Sequence, residues 1–520
     1  VNTTESKGLY TPLSIPTFSY EKDLGDPGLP PFTRGIHPSM YRGKEFTMRQ
    51  LTGFGSPSDT NKRIKYMLAN GSTGISVLFD FPTIQMVDSD SPLSIGHVGF
   101  SGVCIDTVED MHILFDDIDL EKYSISLVTH YPSNTSILFA MFLVMAEEKG
   151  FSISKLRGSV QNDVTMEEVI RCGCDFIPPK PCFRLQCDNI VYTRSYLPNW
   201  SPITLNGYNL RDAGCSDITE MAIAISNGLE TISELKSRGY NPEFIAPRIN
   251  FFWSIGNNFF DEVARLRAVR KVWHNLLKEN FKIADGKLKC HVQTSGITLT
   301  RQEPYNNIIR SAYQALSSVL GGVQSLHVDS FDEAYSVPSE ESALLSLRTQ
   351  QIIQTETGIT DVIDPLGGSY YIESRTLDYE EAILDKIDWI NSIGGYISLV
   401  ESGLLHTEIA DFSYNYQKSI DEGEISIVGL NKYCTSNTHS IPCFTYPDKT
   451  EQNQIEFLRK VKANRNQDEV NIAIDALYEV CNSNLNIFPF CLDCARARCT
   501  KGEINNVFKE AFGPWDRPKG

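Results

Sequence analysis

The sequence predicts an α/β protein: a (β/α)8 barrel with a C-terminal helical extension. Three observations predict it. Short apolar, β-branched runs alternate with long amphipathic segments from Gly74 to about Gly368, the pattern of parallel strands joined by crossover helices. No Gly-x-Gly-x-x-Gly follows the first strand, which favours a closed barrel over an open dinucleotide-binding sheet. The chain has 520 residues, room for a barrel of about 250 residues and an appendage.

The strands come first. "GISVLFDF" at 74–81 is bounded by Gly71 and Pro82. "YSISLVT" (123–129), "LRGSVQ" (156–161), "PITLNGYN" (202–209), "PRINFFW" (247–253), "LKCHVQ" (288–293) and "GVQSLHV" (322–328) read the same way, and "TDVID" (360–364) is the weak eighth. Between them, Asp217 caps a helix with Ile218, Met221, Ile225, Leu229 and Ile232 on one face, ended by Gly239. Residues 261–281 place Val263, Leu266, Val269, Val272, Trp273 and Leu276 at helical spacing. Helices are expected at 379–394 and 408–422, then a polar stretch at 434–454, then a helical block from 455 to about 512. The domains are therefore 1–31, an N-terminal extension; 32–368, the barrel; and 369–520, the helical extension.

Composition excludes several classes. The net charge of −18 opposes binding to nucleic acid or an anionic membrane. No apolar run reaches the roughly 20 residues that span a bilayer, and the polar start lacks a signal peptide's apolar core. Thirteen cysteines, scattered and odd in number, suit a reduced cytoplasmic protein. Cys491 and Cys494 form C-x-x-C near Cys499. Without a second pair at zinc spacing they are read as structural thiols, and no metal site is expected.

Two features carry chemistry. Arg34, Arg42, Lys44 and Arg49 crowd one early segment, either an anion site or a solvated loop with local ion pairs. Gln161 and Asn209 close strands. Arg248 with Asn250, His291 with Gln293, and Gln324 with His327 lie in others, where C-terminal strand ends face a barrel's active site. A lone strand histidine is more often a satisfied core residue; convergence of several polar groups favours a site.

The stretches "TRGIHPSMYRG", "TMRQLTGFG", "GSTGISVLFDFPT", "RGSVQND", "APRINFFW", "HVQTSG", "PYNNIIR", "GGVQSLHVDSFDEA", "DPLGGSYYIE", "VGLNKY" and "RARCTKGEI" together resemble the methylmalonyl-CoA mutase family, in that family's order. The resemblance implies an isomerase whose barrel is threaded by coenzyme A and capped by adenosylcobalamin. It implies radical 1,2-migration of the thioester carbonyl group. The family's D-x-H-x-x-G cobalt-ligating motif is absent: Asp110-Met111-His112 has Phe115 where Gly is required. The chain is thus expected to be a large subunit similar to isobutyryl-CoA and 2-hydroxyisobutyryl-CoA mutase large subunits, or a truncated longer chain. Its expected partner is a small cobalamin-binding subunit, in a homodimer or heterotetramer.

By position, the resemblance implies coenzyme A contacts from His37, Ser39, Met40, Lys44, Thr47, Arg49, Ser76, Arg248, Asn250, Phe252, His291, Gln293 and Gln324. Phe79, Asp212 and Glu333 would face the corrin. Arg171 matches the family Arg that clamps a substrate carboxylate, and Gln161 matches too. Leu51 stands where the family has an active-site Tyr, and Asn209 where it has the His that bonds the thioester carbonyl. Asn can donate a hydrogen bond but not a proton. Arg171 implies a carboxylate-bearing acyl group, and Leu51 a non-standard specificity. The alternative is a catalytically silent subunit paired with an active chain.

Overall fold

A computed structural model of the chain describes residues 8–171, 177–435, 441 and 443–515. For Glu167, Glu168 and Arg171 it describes the backbone alone. The described residues form two compact units: 8–48 with 205–443, and 49–204 with 444–515. The strands, in chain order, are β1 (Thr47–Met48), β2 (Leu51–Thr52), β3 (Gly74–Leu78), β4 (Ser124–Val128), β5 (Arg157–Val160), β6 (Trp200–Ser201), β7 (Ile203–Asn206), β8 (Ile249–Ile255), β9 (Lys289–Thr294) and β10 (Ser325–His327).

In the first unit the sheet order is β1-β10-β9-β8-β7. The pairs β1/β10, β10/β9 and β9/β8 are parallel. Helices link the strands: Asp217–Ser237 precedes β8 and Phe259–Phe281 follows it. On the latter, Val263, Leu266, Val269, Val272 and Trp273 are fully buried, each contributing about 1.5–3 kcal/mol by leaving water. Ser216, not Asp217, caps Asp217–Ser237: its side chain accepts from Thr219 N. Helices Tyr370–Ser392, Tyr396–Ser402 and Leu404–Asp421 complete this unit. The first of them begins nine residues before the expected 379.

In the second unit the order is β2-β3-β4-β5-β6, parallel throughout. Helix Pro132–Glu148 is apolar on every side over residues 137–146 and buried from Pro132 to Ala146, as expected of a helix enclosed by other elements. Phe139 stacks on Trp200 at 5.1 Å and meets Phe488 of helix Phe488–Arg496 at 5.7 Å. The C-terminal helices Thr450–Asn464, Gln467–Cys481, Phe488–Arg496 and Lys501–Phe512 therefore belong to this unit's core. Lys501, fully buried, pairs with Asp106 at 2.8 Å and donates to Ile105 O at 2.7 Å. Gln454 Nε2 bridges Asp106 and Asp110 at 2.8 and 2.9 Å.

Several sequence expectations are corrected. Residues 360–364 are not a strand. Ile359–Asp361 is a 3-10 turn, and Asp364 sits at φ 48 with its carboxylate on Arg34 and Arg267. The strands the sequence reading missed are β1, β2 and β6, each two residues long, too short for a period-2 pattern to register. Asn209 does not end a strand: β7 stops at Asn206 and Asn209 lies in helix Tyr208–Asp212. Arg248 lies in the 3-10 turn Ala246–Arg248 before β8, so it shares no strand face with Asn250. Gln324 precedes β10. Cys491, Cys494 and Cys499 are free and buried.

Candidate functional site

In the second unit, strand register sets serines side by side. Leu51 pairs with Ser76, Ser76 with Ser126, Ser126 with Ser159, and Ser159 with Ser201. In-register partners of parallel strands point to one face, and alternate residues to the other. Ile75, Val77, Ile125 and Leu127 occupy that other face at 0–3% exposure. The hydroxyl face is thus built of small polar side chains, where a barrel interior is ordinarily filled by Val, Ile and Leu. Ser159 Oγ donates to Ser126 Oγ at 3.1 Å.

One layer toward the N-terminal ends of these strands, Arg49 is buried and donates to Ser124 Oγ at 2.7 Å. Its Nε has no partner among the described residues, and burial pushes its guanidinium down to about 10. Beyond the C-terminal end of β5, Gln161 is buried with Oε1 unpartnered among the described residues. Phe79 is fully buried and bridges Val103. Arg171 closes a short π-helix, Met166–Arg171; its side chain lies outside the described residues. Asp110 and His112, at the imperfect cobalt motif, have other tasks. Asp110 accepts from the backbone N–H groups of Asp106 and Thr107, and His112 pairs with Glu148 at 2.7 Å.

The first unit carries a corresponding row: Thr47 pairs with Ser325, Ser325 with His291, and His291 with Phe252. His291 Nδ1 and Ser325 Oγ are 2.8 Å apart. Phe252 stacks on Tyr208 at 4.9 Å and meets His291 at 5.0 Å. Asn250 is half-buried, with Oδ1 unpartnered among the described residues. Gln324 Oε1 accepts from Cys290 N at 2.9 Å, which ties it to the backbone of β9. Met40 is buried, at φ 40, while His37, Ser39 and Lys44 are exposed and Arg248 is half-buried. Although its side chain reaches the surface, partial desolvation of the ring lowers the His37 pKa, and the charges of Lys287, Lys289 and Lys44 lower it further. The early basic cluster therefore divides: Arg34 is in an ion pair with Asp364, whereas Lys44 shares its surroundings with Lys287 and Lys289. The sequence reading missed those two lysines because they come some 240 residues later, a distance only the fold closes.

Toward the C-terminal ends of β9 and β10 lies a cluster of acids. Gln293 Nε2 donates to Tyr208 Oη and to Asp329 Oδ1, both at 2.8 Å. His327 Nε2 is 3.1 Å from the same Asp329 oxygen. Burial lifts Asp329 to about 8 and lowers His327 to about 4. Burial thus disfavours the charged form of each. Asp212 accepts from Ser295 Oγ at 3.3 Å; burial first, then the charge of Asp329, raises it to about 7. Glu333 is exposed.

Asn209 is half-buried. Its Oδ1 accepts from Asn206 Nδ2 at 2.9 Å, and its backbone N–H donates to Asn206 Oδ1 at 3.0 Å. Gly207 makes this turn possible: a Cβ there would lie 2.6 Å from Glu220 Cγ and 2.7 Å from Trp253 Cε3. Asn206 and Ser126, both outside the expected site, were hidden because each acts through a neighbour on the fold. The one sequence signal was the alternation of Ser with Ile and Leu in "YSISLVT".

Among the described residues no helix is long and apolar enough to cross a membrane. A family model described as methylmalonyl-CoA mutase matches residues 1–514. The 2-hydroxyisobutanoyl-CoA mutase large subunit of Aquincola tertiaricarbonis is 40% identical over 499 residues, which cover 95% of this chain and 88% of that one. The mitochondrial methylmalonyl-CoA mutase of Mus musculus is 41% identical over 494 residues, covering 94% of this chain and 65% of that one. The methylmalonyl-CoA mutase of Cereibacter sphaeroides is 38% identical over 510 residues, covering 98% and 71%. With its parallel α/β sheets and helical C-terminal region, this chain belongs to the methylmalonyl-CoA mutase family, a family of (β/α)8 barrels.

Proposed function

We propose that this chain is the acyl-CoA-binding large subunit of an adenosylcobalamin-dependent mutase, with residues 32–368 binding the thioester and 369–520 forming the helical extension. The observation that carries the reading is the row Ser76, Ser126, Ser159 and Ser201 on one sheet face. Short hydroxyl side chains leave room beside them and offer hydrogen bonds to the amides of a slender pantetheine chain. Taken by itself, the first unit has a polar row of its own, Thr47, Ser325 and His291. Three buried polar atoms without a described partner, on Arg49, Gln161 and Asn250, fall on residues expected to touch the ligand. A buried polar group left unpaired costs about 1–3 kcal/mol, which water or a ligand polar group at these three positions would relieve.

Lys44, Lys287 and Lys289 form a basic patch around His37, suited to the phosphates of coenzyme A. Ser39, Met40, Ser76, Arg248, Phe252, Gln293 and Gln324 complete the proposed contacts. The carboxyls expected to meet the corrin fit it. Asp212, raised to about 7, stays largely protonated below that pH and can donate to a corrin amide. Phe79, fully buried, offers the corrin no side-chain surface, so the proposed corrin contact rests on Asp212 with Glu333 as a second carboxyl. When bound, adenosylcobalamin supplies the homolytic chemistry that opens a 1,2-rearrangement of the acyl group. The chain's own residues do the rest: Arg171 holds a substrate carboxylate, Asn209 donates to the thioester carbonyl, Gln161 orients the acyl group, and Leu51 leaves space for an apolar substituent.

The proposed partner is a small subunit carrying D-x-H-x-x-G; in this chain Asp110 and His112 are tied into helix and ion-pair contacts and do not supply that motif. The assembly is a homodimer or heterotetramer in the cytoplasm. Replacement of the family Tyr and His by Leu51 and Asn209 favours a second reading, a silent subunit. The test is calorimetric titration with methylmalonyl-CoA, 2-hydroxyisobutanoyl-CoA and isobutyryl-CoA, followed by isomerisation assays with a small cobalamin-binding subunit. Binding and turnover support the proposal. Complex formation without turnover favours the silent subunit, and failure to bind any acyl-CoA overturns both.

A further inference from the structure

We infer that Asn206 is a positioning residue that fixes which end of the Asn209 amide faces the substrate. The inference rests on the reading that Asn209 addresses the thioester carbonyl. The two ends of an Asn side chain are nearly alike in shape, so only hydrogen bonds decide which is which. Here the decision starts from a group that admits no choice. The Asn209 backbone N–H can only donate, and its 3.0 Å partner on Asn206 must therefore be the amide oxygen, Oδ1. That places Asn206 Nδ2, a donor, toward the Asn209 side chain at 2.9 Å. The Asn209 atom that receives it must be Oδ1. Asn209 Nδ2 is left to point elsewhere, and it donates to no described residue. An amide at this position thus presents a fixed donor, suited to an acyl oxygen and unsuited to a cation or a donor group.

Asn206 is held well enough to do this. It is 1% exposed, at the end of β7. Gly207 lets the chain turn directly against Trp253 and Glu220, and Gly207 N donates to Phe252 O at 2.9 Å. Asn209 therefore sits on a turn braced against β8, not on a free loop.

The test separates positioning from packing. Asn206→Asp keeps an acceptor for the Asn209 backbone N–H but turns the second atom from donor to acceptor. The Asn209 amide then rotates to donate inward and presents Oδ1 to the substrate. Asn206→Ser keeps both senses, because a hydroxyl can accept from the N–H and donate to Oδ1. Asn209→Asp removes the outward donor without touching Asn206. Infrared difference spectra of bound 2-hydroxyisobutanoyl-CoA, labelled with 13C at the thioester carbonyl, read the donor directly and need no cobalamin. The carbonyl stretch should fall to lower wavenumber in the parent protein and in Asn206→Ser, and should return to the free value in Asn206→Asp and Asn209→Asp. With the small subunit added, kcat should fall about 10²-fold in the two aspartate variants while KM moves less than about threefold. An unchanged carbonyl shift in Asn206→Asp, or no shift in the parent despite binding, overturns the inference. If Asn206→Asp loses its thermal transition, Asn206→Leu takes its place: it holds neither the N–H nor Oδ1 of Asn209, so the carbonyl shift should weaken, and an unchanged shift there overturns the inference. Failure of the parent to bind any acyl-CoA defeats the functional proposal itself and this inference with it.

Discussion

Adjacent residues on β4 should fail in opposite ways. Ser126 lies on the hydroxyl face and is half-exposed, flanked in register by Ser76 and Ser159. Leu127 lies on the helix-covered face and is 0% exposed. Ser126→Leu adds an apolar group of two extra heavy atoms where neighbouring strands are about 4.8 Å apart. Against a ligand already threaded past it, overpacking of this kind costs about 1–3 kcal/mol, which is about 5–150-fold in Kd. The fold should tolerate it better than a core change, because Ser126 itself is only part-buried, although Ser76 and Ser159 beside it are 5% exposed. Leu127→Ala instead leaves a cavity worth about 2–5 kcal/mol. For a unit of this size that lowers Tm by roughly 4–20 °C, while the Kd of the folded fraction changes little. Calorimetric titration with 2-hydroxyisobutanoyl-CoA and differential scanning calorimetry read the two effects separately. If Ser126→Leu bound the thioester as tightly as the parent, the serine row would not be the ligand's path and the functional proposal would lose its main support.

Other perturbations follow from the same geometry. Lys501→Met should destabilise the second unit by about 3–5 kcal/mol, because it leaves the Asp106 carboxylate buried without its cation. Adding Asp106→Asn should recover most of the lost Tm, and no recovery would show that the ion pair is not the cause. Leu51→Tyr should lower turnover of the true substrate by filling the space beside Ser76; a rise in kcat/KM would count against that space being used. The buried carboxyl of Asp329 titrates near 8, far above its ordinary 3.8. A raised carboxyl pKa means that the folded state holds the proton more tightly than the unfolded chain. The stability this contributes is complete below about pH 4 and is lost as pH rises through about 8. Asn mimics the protonated acid, so Asp329→Asn should flatten Tm between pH 4 and 8, and an unchanged slope would assign it to other groups.

The sequence by itself determined much of the fold. Strands β3, β4, β5, β8, β9 and β10 announce themselves because apolar, β-branched runs must be buried wherever they fold. Helix Phe259–Phe281 is legible for the same reason: its apolar side chains recur every three to four residues. Residue types along family-like motifs also pointed to Arg49, Gln161, Asn250 and His291 as site residues. What tertiary structure alone decided is register and neighbourhood. The two-residue strands β1, β2 and β6 exist because longer partners hydrogen-bond them, not because of their own pattern. Residues 360–364 look extended, yet they turn because Asp364 is drawn to Arg34 and Arg267. That Ser76, Ser126, Ser159 and Ser201 form one row, and that Asn206 sets the sense of Asn209, depends on hydrogen bonds between segments and across a turn. Local periodicity carries no record of such pairings, because their energy appears only when the partners meet.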